Sequence, residues 1–211
     1  MADLQSHLDA PLAPFAGSPP PAPDWFTRAV AAPVERSRIM VQGAGIDVRA
    51  WGARGQPGVL LLHGNGAHAD WWSFIAPWLA DDYRVAALSW SGMGASDWRQ
   101  HYSVDLFVAE AFAVMEATGL FEAPRKPVVV GHSFGGFPTI AAALRRGSEL
   151  AGIVVVDTPI RSPEDEKAHR RGRSDEAPRP HRVYATIEQA LARFRLAPRQ
   201  ACENLFIADA I

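Results

Sequence analysis

A single cysteine, Cys202, leaves no intrachain disulfide to form, which suits a reducing compartment such as the cytoplasm. No run of apolar residues reaches the roughly 20 that a membrane-spanning helix requires. A net charge of −2, from 21 basic and 23 acidic side chains, offers no electrostatic footprint for nucleic acid or an anionic membrane surface, so neither partner is expected. The start of the chain carries Asp3, His7 and Asp9, not the basic residues and apolar stretch of a secretory signal. No His, Cys or carboxylate pair has ligand spacing on a clear helix or hairpin, so no metal and no cofactor are expected. Apolar material is ample: 48% hydrophobic residues over 211 positions supply one sizeable core.

Prolines concentrate at the start. Pro11, Pro14, Pro19, Pro20, Pro21, Pro23 and Pro33 stand among alanines, a composition that predicts a flexible arm over residues 1–35. Arg38–Val41 and Ile46–Trp51, separated by Gln42-Gly43-Ala44-Gly45, predict an antiparallel hairpin. Continuous apolar runs at 59–62, 84–89, 127–130 and 152–157 read as strands buried on both faces. Helical spacing separates them, over 70–79, over 103–119 and after residue 136. Repeated strand–helix–strand units predict an α/β fold with a mainly parallel, doubly wound sheet over residues 36–159, the hairpin adding an antiparallel edge. Beyond Pro159 a charged stretch from Ser162 to Glu176 reads as solvated, and 185–195 and 197–211 as two helices.

Gly131-His132-Ser133-Phe134-Gly135-Gly136 follows the run Pro127 to Val130 and opens an Ala/Leu-rich helical pattern. Strand, Gly-x-Ser-x-Gly, helix is the setting of a nucleophile elbow, a turn so tight that backbone crowds the flanking glycines and the serine hydroxyl is left exposed. A second Gly-rich turn, His63-Gly64-Asn65-Gly66, follows the strand at 59–62. Ligands of open parallel sheets lie beyond the carboxyl ends of the strands, so both turns are expected at one crevice. Acyl transfer needs two donors aimed at the developing oxyanion. The amides of Asn65 and Phe134 are the candidates, with His63, Gly64, Gly131, His132 and Gly135 shaping the turns.

With the loop Ser91-Gly92-Met93-Gly94-Ala95-Ser96-Asp97, these two motifs resemble those of the α/β-hydrolase superfamily, in its cap-bearing branch of serine esterases. The resemblance covers residue 36 to the end. It implies Ser133 as nucleophile, Asn65 and Phe134 as oxyanion donors, a small-molecule ester-like substrate, and a helical cap beginning at residue 160. It also implies an acid and then a histidine after the nucleophile, from strands beyond the cap. Asp157 is a possible acid. After Ser133 only His169 and His181 remain, both in charged, loop-like sequence. The chain therefore reads as lacking the catalytic histidine, stopping within its cap, and leaving the 152–157 strand as an uncovered edge. Asn65 also resembles its counterpart in haloalkane dehalogenases, but those use an aspartate nucleophile where this chain has Ser133.

Two other readings compete. A hydrolase-like binding protein without turnover would share every motif named so far. A dinucleotide-binding protein would use Gly64-Asn65-Gly66-Ala67-His68-Ala69, yet the next strand runs into Ser89 and Trp90 where a ribose-binding acid should stand. Trp71, Trp72, Trp90 and Trp98 are expected near the crevice, where they suit an apolar acyl group or pack helices on the sheet. Composition does not set the substrate or the oligomeric state.

Overall fold

A computed structural model describes residues 10–162, 164–165, 182–196 and 200–211. Two compact units divide the chain, Pro23–Pro159 and a second formed by Met1–Ala22 with Ile160–Ile211.

The larger unit is a six-stranded sheet in the order β1-β2-β4-β3-β5-β6. Its strands are β1 (Glu35–Val41), β2 (Ala44–Trp51), β3 (Gly58–Leu62), β4 (Arg84–Leu88), β5 (Val128–His132) and β6 (Gly152–Val156). β1 and β2 pair antiparallel, as do β2 and β4, and the rest is parallel. The hairpin turn is tighter than its glycines predict. Gln42 and Gly43, at φ 45° and 82°, make the whole connection, a geometry that matches the twist of the two strands.

Period-two alternation loads both faces of the sheet. Leu60, Leu62, Ala86 and Leu88 join Phe107, Ala111, Phe112 and Met115 of α2 (Val104–Ala117) on one side. Val59, Leu61, Val85 and Ala87 meet Trp51, Trp72 and Ala76 on the other. Ser103 caps α2, its hydroxyl accepting from the Leu106 amide at 3.1 Å. α3 (Gly136–Arg146) follows β5 with only one 3₁₀ turn between.

Three expectations change. Residues 24–30, assigned above to a flexible arm, form α1 (Asp24–Val30). The prolines stop at Pro23, just before the first helical residue, where a missing N–H costs nothing. Phe26 of α1 is buried with its ring 5.5 Å from that of Phe74. Earlier in the arm, Leu12 is buried and Gly17 lies against Ile187 within the smaller unit. Second, 69–78 holds two 3₁₀ turns, Ala69–Trp72 and Ala76–Trp78, not one helix, because Pro77 cannot donate into a continuous ladder. Third, the late helices are short, α4 (Ile187–Leu191) and α5 (Leu205–Ala210). The charged stretch after Ser162 lies largely outside the described residues.

β6 is the sheet edge, with Val154 and Val156 exposed at 46% and 43%. An exposed, uncharged valine edge is a template for pairing with another chain. The chain is expected to self-associate through it, and Val154→Lys to shift the sizing-column profile toward monomer. A monodisperse monomer unaffected by the lysine would show that the edge is not sticky.

Candidate active site

β5 passes into the 3₁₀ turn Ser133–Gly135 with no intervening loop. Reversing direction in one step puts Ser133 at φ 50°, a left-handed conformation that costs a non-glycine residue about 1 kcal/mol or more. The flanking glycines show what holds it there. A Cβ on Gly131 would run into Thr139 Oγ1 and the Gly135 carbonyl, and one on Gly135 would lie 2.7 Å from both the Leu62 and His63 carbonyls. The elbow is thus pressed against the end of β3. Gly135→Ala is expected to cost about 2 kcal/mol, the scale of overpacking against atoms that cannot yield; an unchanged denaturation midpoint would contradict this packing.

The turn after β3 adjoins the serine. A Cβ on Gly64 would lie 3.2 Å from Ser133 Cβ and 3.2 Å from His132 Nδ1. Asn65 is exposed on that turn, and its amide donates no hydrogen bond among the described residues. Phe134, second in its 3₁₀ turn, has one of the amides that a helix start leaves without an internal partner.

His63 is fully buried and fixes this turn. Its Nε2 accepts from the Trp90 amide at 3.1 Å, and its Nδ1 lies 2.7 Å from the Gly64 carbonyl. An accepting Nε2 leaves the proton on Nδ1, which donates to Gly64. Burial is the main cause lowering its pKa to about 4. Trp90 closes the link by donating its ring N–H to the His63 carbonyl at 3.2 Å. Trp90 is itself fully buried; its place is in the core, not along a crevice. Trp98, by contrast, is 73% exposed, and Trp71 lies with its ring 5.6 Å from that of His132.

The loop 91–97 is a clasp. Ser96 Oγ donates to the Ser89 carbonyl at 2.6 Å and accepts from the Asp47 amide at 2.8 Å. Asp97 accepts from the Gly45 amide at 2.7 Å and pairs with Arg38. Ser89, at the position where a dinucleotide site needs an acid, is a buried serine whose hydroxyl accepts from the Ala69 amide at 3.0 Å.

Two residues of this neighbourhood escape sequence reasoning. Glu110, fully buried on α2, accepts from the Ser91 amide and from Arg99, both at 3.1 Å. Its signal is present: a carboxylate three residues after Phe107, on the apolar face of the helix. Thr158 donates its hydroxyl to the Ser133 carbonyl at 3.0 Å. Nothing in the sequence marks it.

Asp157 is exposed at φ 50° and makes no ion pair or side-chain hydrogen bond among the described residues. No histidine or carboxylate hydrogen-bonds Ser133 among those residues either. His169 and His181 lie outside them. Among the described residues no group of three or more His, Cys, Asp or Glu could hold a metal ion, and no helix is long and apolar enough to cross a membrane.

Known proteins share the fold of this chain. Lipase LipV of Mycobacterium tuberculosis is 31% identical over 115 residues, 54% of this chain and 42% of the lipase. A pimeloyl-(acyl-carrier protein) methyl ester esterase of Methylococcus capsulatus is 33% identical over 100 residues, 47% of this chain and 36% of the esterase. Epoxide hydrolase A of Mycobacterium thermoresistibile, a solved structure 25% identical, superposes with a TM-score of 0.58 over 66% of this chain and 44% of its own. This chain spans less than half the length of each. The model of the alpha/beta hydrolase family matches residues 59–209, and with that match the chain belongs to the alpha/beta hydrolase family.

Proposed function

We propose that Ser133 is the nucleophile of a hydrolase acting on an ester or similar acyl bond of a small molecule. The observation that carries this is the left-handed turn at Ser133 lying against the Gly64 backbone. In this reading Ser133 Oγ attacks the acyl carbon and yields its proton to a base. The carbonyl oxygen, now an oxyanion, accepts from the Asn65 and Phe134 amides. The proton passes to the departing alcohol, and water then releases the acyl group from the serine. Relatives named a lipase and a methyl ester esterase favour ester chemistry.

The described residues supply the nucleophile and donors of this scheme but no base. A second reading follows from that observation: a hydrolase-like body that binds an acyl compound without turning it over, in which Asp157 is a strand-end carboxylate and not the acid.

Exposure to a fluorophosphonate, with the adduct located by mass spectrometry, tests the assignment. The expected result is slow modification at Ser133, absent from Ser133→Ala. Modification spread over several serines, or none at Ser133, would remove the basis for naming it the nucleophile.

A further inference from the structure

Both amides assigned to the oxyanion belong to peptides whose carbonyls are gripped in the same way. The Gly64 carbonyl accepts from His63 Nδ1 at 2.7 Å and from the Ala67 amide at 3.3 Å. The N–H of that peptide is Asn65's. The Ser133 carbonyl accepts from Thr158 Oγ1 at 3.0 Å and from the Gly136 amide. The N–H of that peptide is Phe134's. A trans peptide is planar with its N–H and C=O opposed, so holding the oxygen aims the hydrogen. A hydrogen bond accepted at the oxygen also polarises the amide and strengthens its N–H as a donor.

We propose that Thr158 is a positioning residue that orients and polarises the Phe134 amide through the Ser133 carbonyl. This rests on the assignment of Phe134 as an oxyanion donor. Thr158 touches no reacting atom in the scheme; it acts through the peptide it holds.

The backbone is shaped to deliver this contact. β5 and β6 run parallel with His132 opposite Val156, so Ser133 and Asp157 come one step later, just past the ends of these adjacent strands. Both are left-handed at φ 50°. The turn at Asp157 brings Thr158 back to the end of β5. There a Cβ on Gly136 would overlap the Thr158 hydroxyl, which explains a glycine as the first residue of α3. The other acceptor in range, the Val156 carbonyl at 3.5 Å, is the weaker one, because distance at that limit leaves little bond. Ser133 and Asp157 both hold a strained conformation, and the residue after Asp157 bonds the Ser133 carbonyl, which indicates a geometry that packing over-determines.

Thr158→Val keeps the branched shape and removes the hydroxyl, whereas Thr158→Ser keeps the hydroxyl. Fluorophosphonate uptake at Ser133 is expected to slow about tenfold in T158V, less than the 10²–10³ that deleting a donor costs. T158S is expected to restore the rate. In chain labelled with ¹⁵N-phenylalanine, the Phe134 amide cross-peak should move in T158V and return in T158S, with both variants melting cooperatively. A purely structural role for Thr158 predicts that rate and cross-peak ignore the hydroxyl. Uptake at Ser133 that is equal in T158V and the unaltered chain overturns the role of Thr158 and leaves the nucleophile standing. No uptake at Ser133 in the unaltered chain overturns the nucleophile and the oxyanion role together. T158S as slow as T158V also overturns the proposal, since the hydroxyl would then be irrelevant.

Discussion

Turnover of p-nitrophenyl acetate by this chain is expected to fall about 10⁶-fold below that of a serine hydrolase whose histidine activates the serine, the loss that follows removal of such a base, because no histidine among the described residues hydrogen-bonds Ser133. The histidines explain why. His63 has both ring nitrogens engaged, with Trp90 and with the Gly64 carbonyl. His132 is next to Ser133 in sequence, yet its Nδ1 lies against Gly64, buried without a hydrogen-bond partner, and its ring lies against Trp71. His68 packs by its Cβ on Gly94, and His101 is exposed beside the start of α2. None of these reaches Ser133 with a hydrogen bond. A serine hydroxyl without a base is a weak nucleophile at neutral pH, however well its oxyanion is received. Ser133→Ala should therefore change the residual rate by less than about tenfold, because little of that rate depends on an activated serine. A fast, Ser133-dependent rate would show that another group, His169 and His181 included, serves as the base, and would overturn the reading of the described histidines as structural.

The parts of the site that are local in sequence are the parts that sequence displayed. The elbow needs glycine two places either side of the serine for reasons of contact, and contact with Leu62, His63 and Thr139 is what those positions meet. β3 and β4 were legible because burial on both faces demands unbroken apolar runs; β6 has such a run as well, but at the sheet edge it alternates exposed and half-buried residues and is not buried on both faces. The strand order was not legible, since β4 lies between β2 and β3 through pairings that no local pattern encodes. The first helix was hidden by composition: seven prolines within the first 33 residues concealed seven residues without one, Asp24–Val30. Thr158 was hidden for another reason. Its partner is 25 residues away, and the contact exists only because Asp157 adopts a conformation that aspartate seldom takes. Glycine spacing announces a tight turn, whereas a side chain that reaches back to secure it leaves no periodic trace.

Acidification should loosen this chain from about pH 6.5 downward. His63 has its pKa lowered to about 4, against roughly 6.5 in an unfolded chain. At neutral pH both states are uncharged and His63 adds no pH dependence. As pH falls through 6.5 the unfolded chain binds a proton that the folded chain refuses, so stability declines until about pH 4, where the native ring protonates too. The full interval is worth about 3 kcal/mol, at 1.36 kcal/mol per pKa unit. That is a large fraction of the 5–15 kcal/mol typical of whole domains. Asp70 moves on a different scale. Burial raises its pKa, but hydrogen bonds and charge from Arg49, with Arg36, outweigh that and leave it lowered; its contribution is lost only below the range where His63 has acted. Urea midpoints measured between pH 7 and pH 4.5 should fall steadily. His63→Gln should start less stable, having lost its fit between Trp90 and Gly64, yet show a flatter pH profile over that interval. An unaltered chain with a flat profile would mean that the ring is not held neutral. In the native chain the same proton would cost Nε2 its lone pair for the Trp90 amide, so the turn carrying Asn65 would loosen only as the native ring charges, and fluorophosphonate uptake at Ser133 should hold through the interval over which stability falls and decline near pH 4.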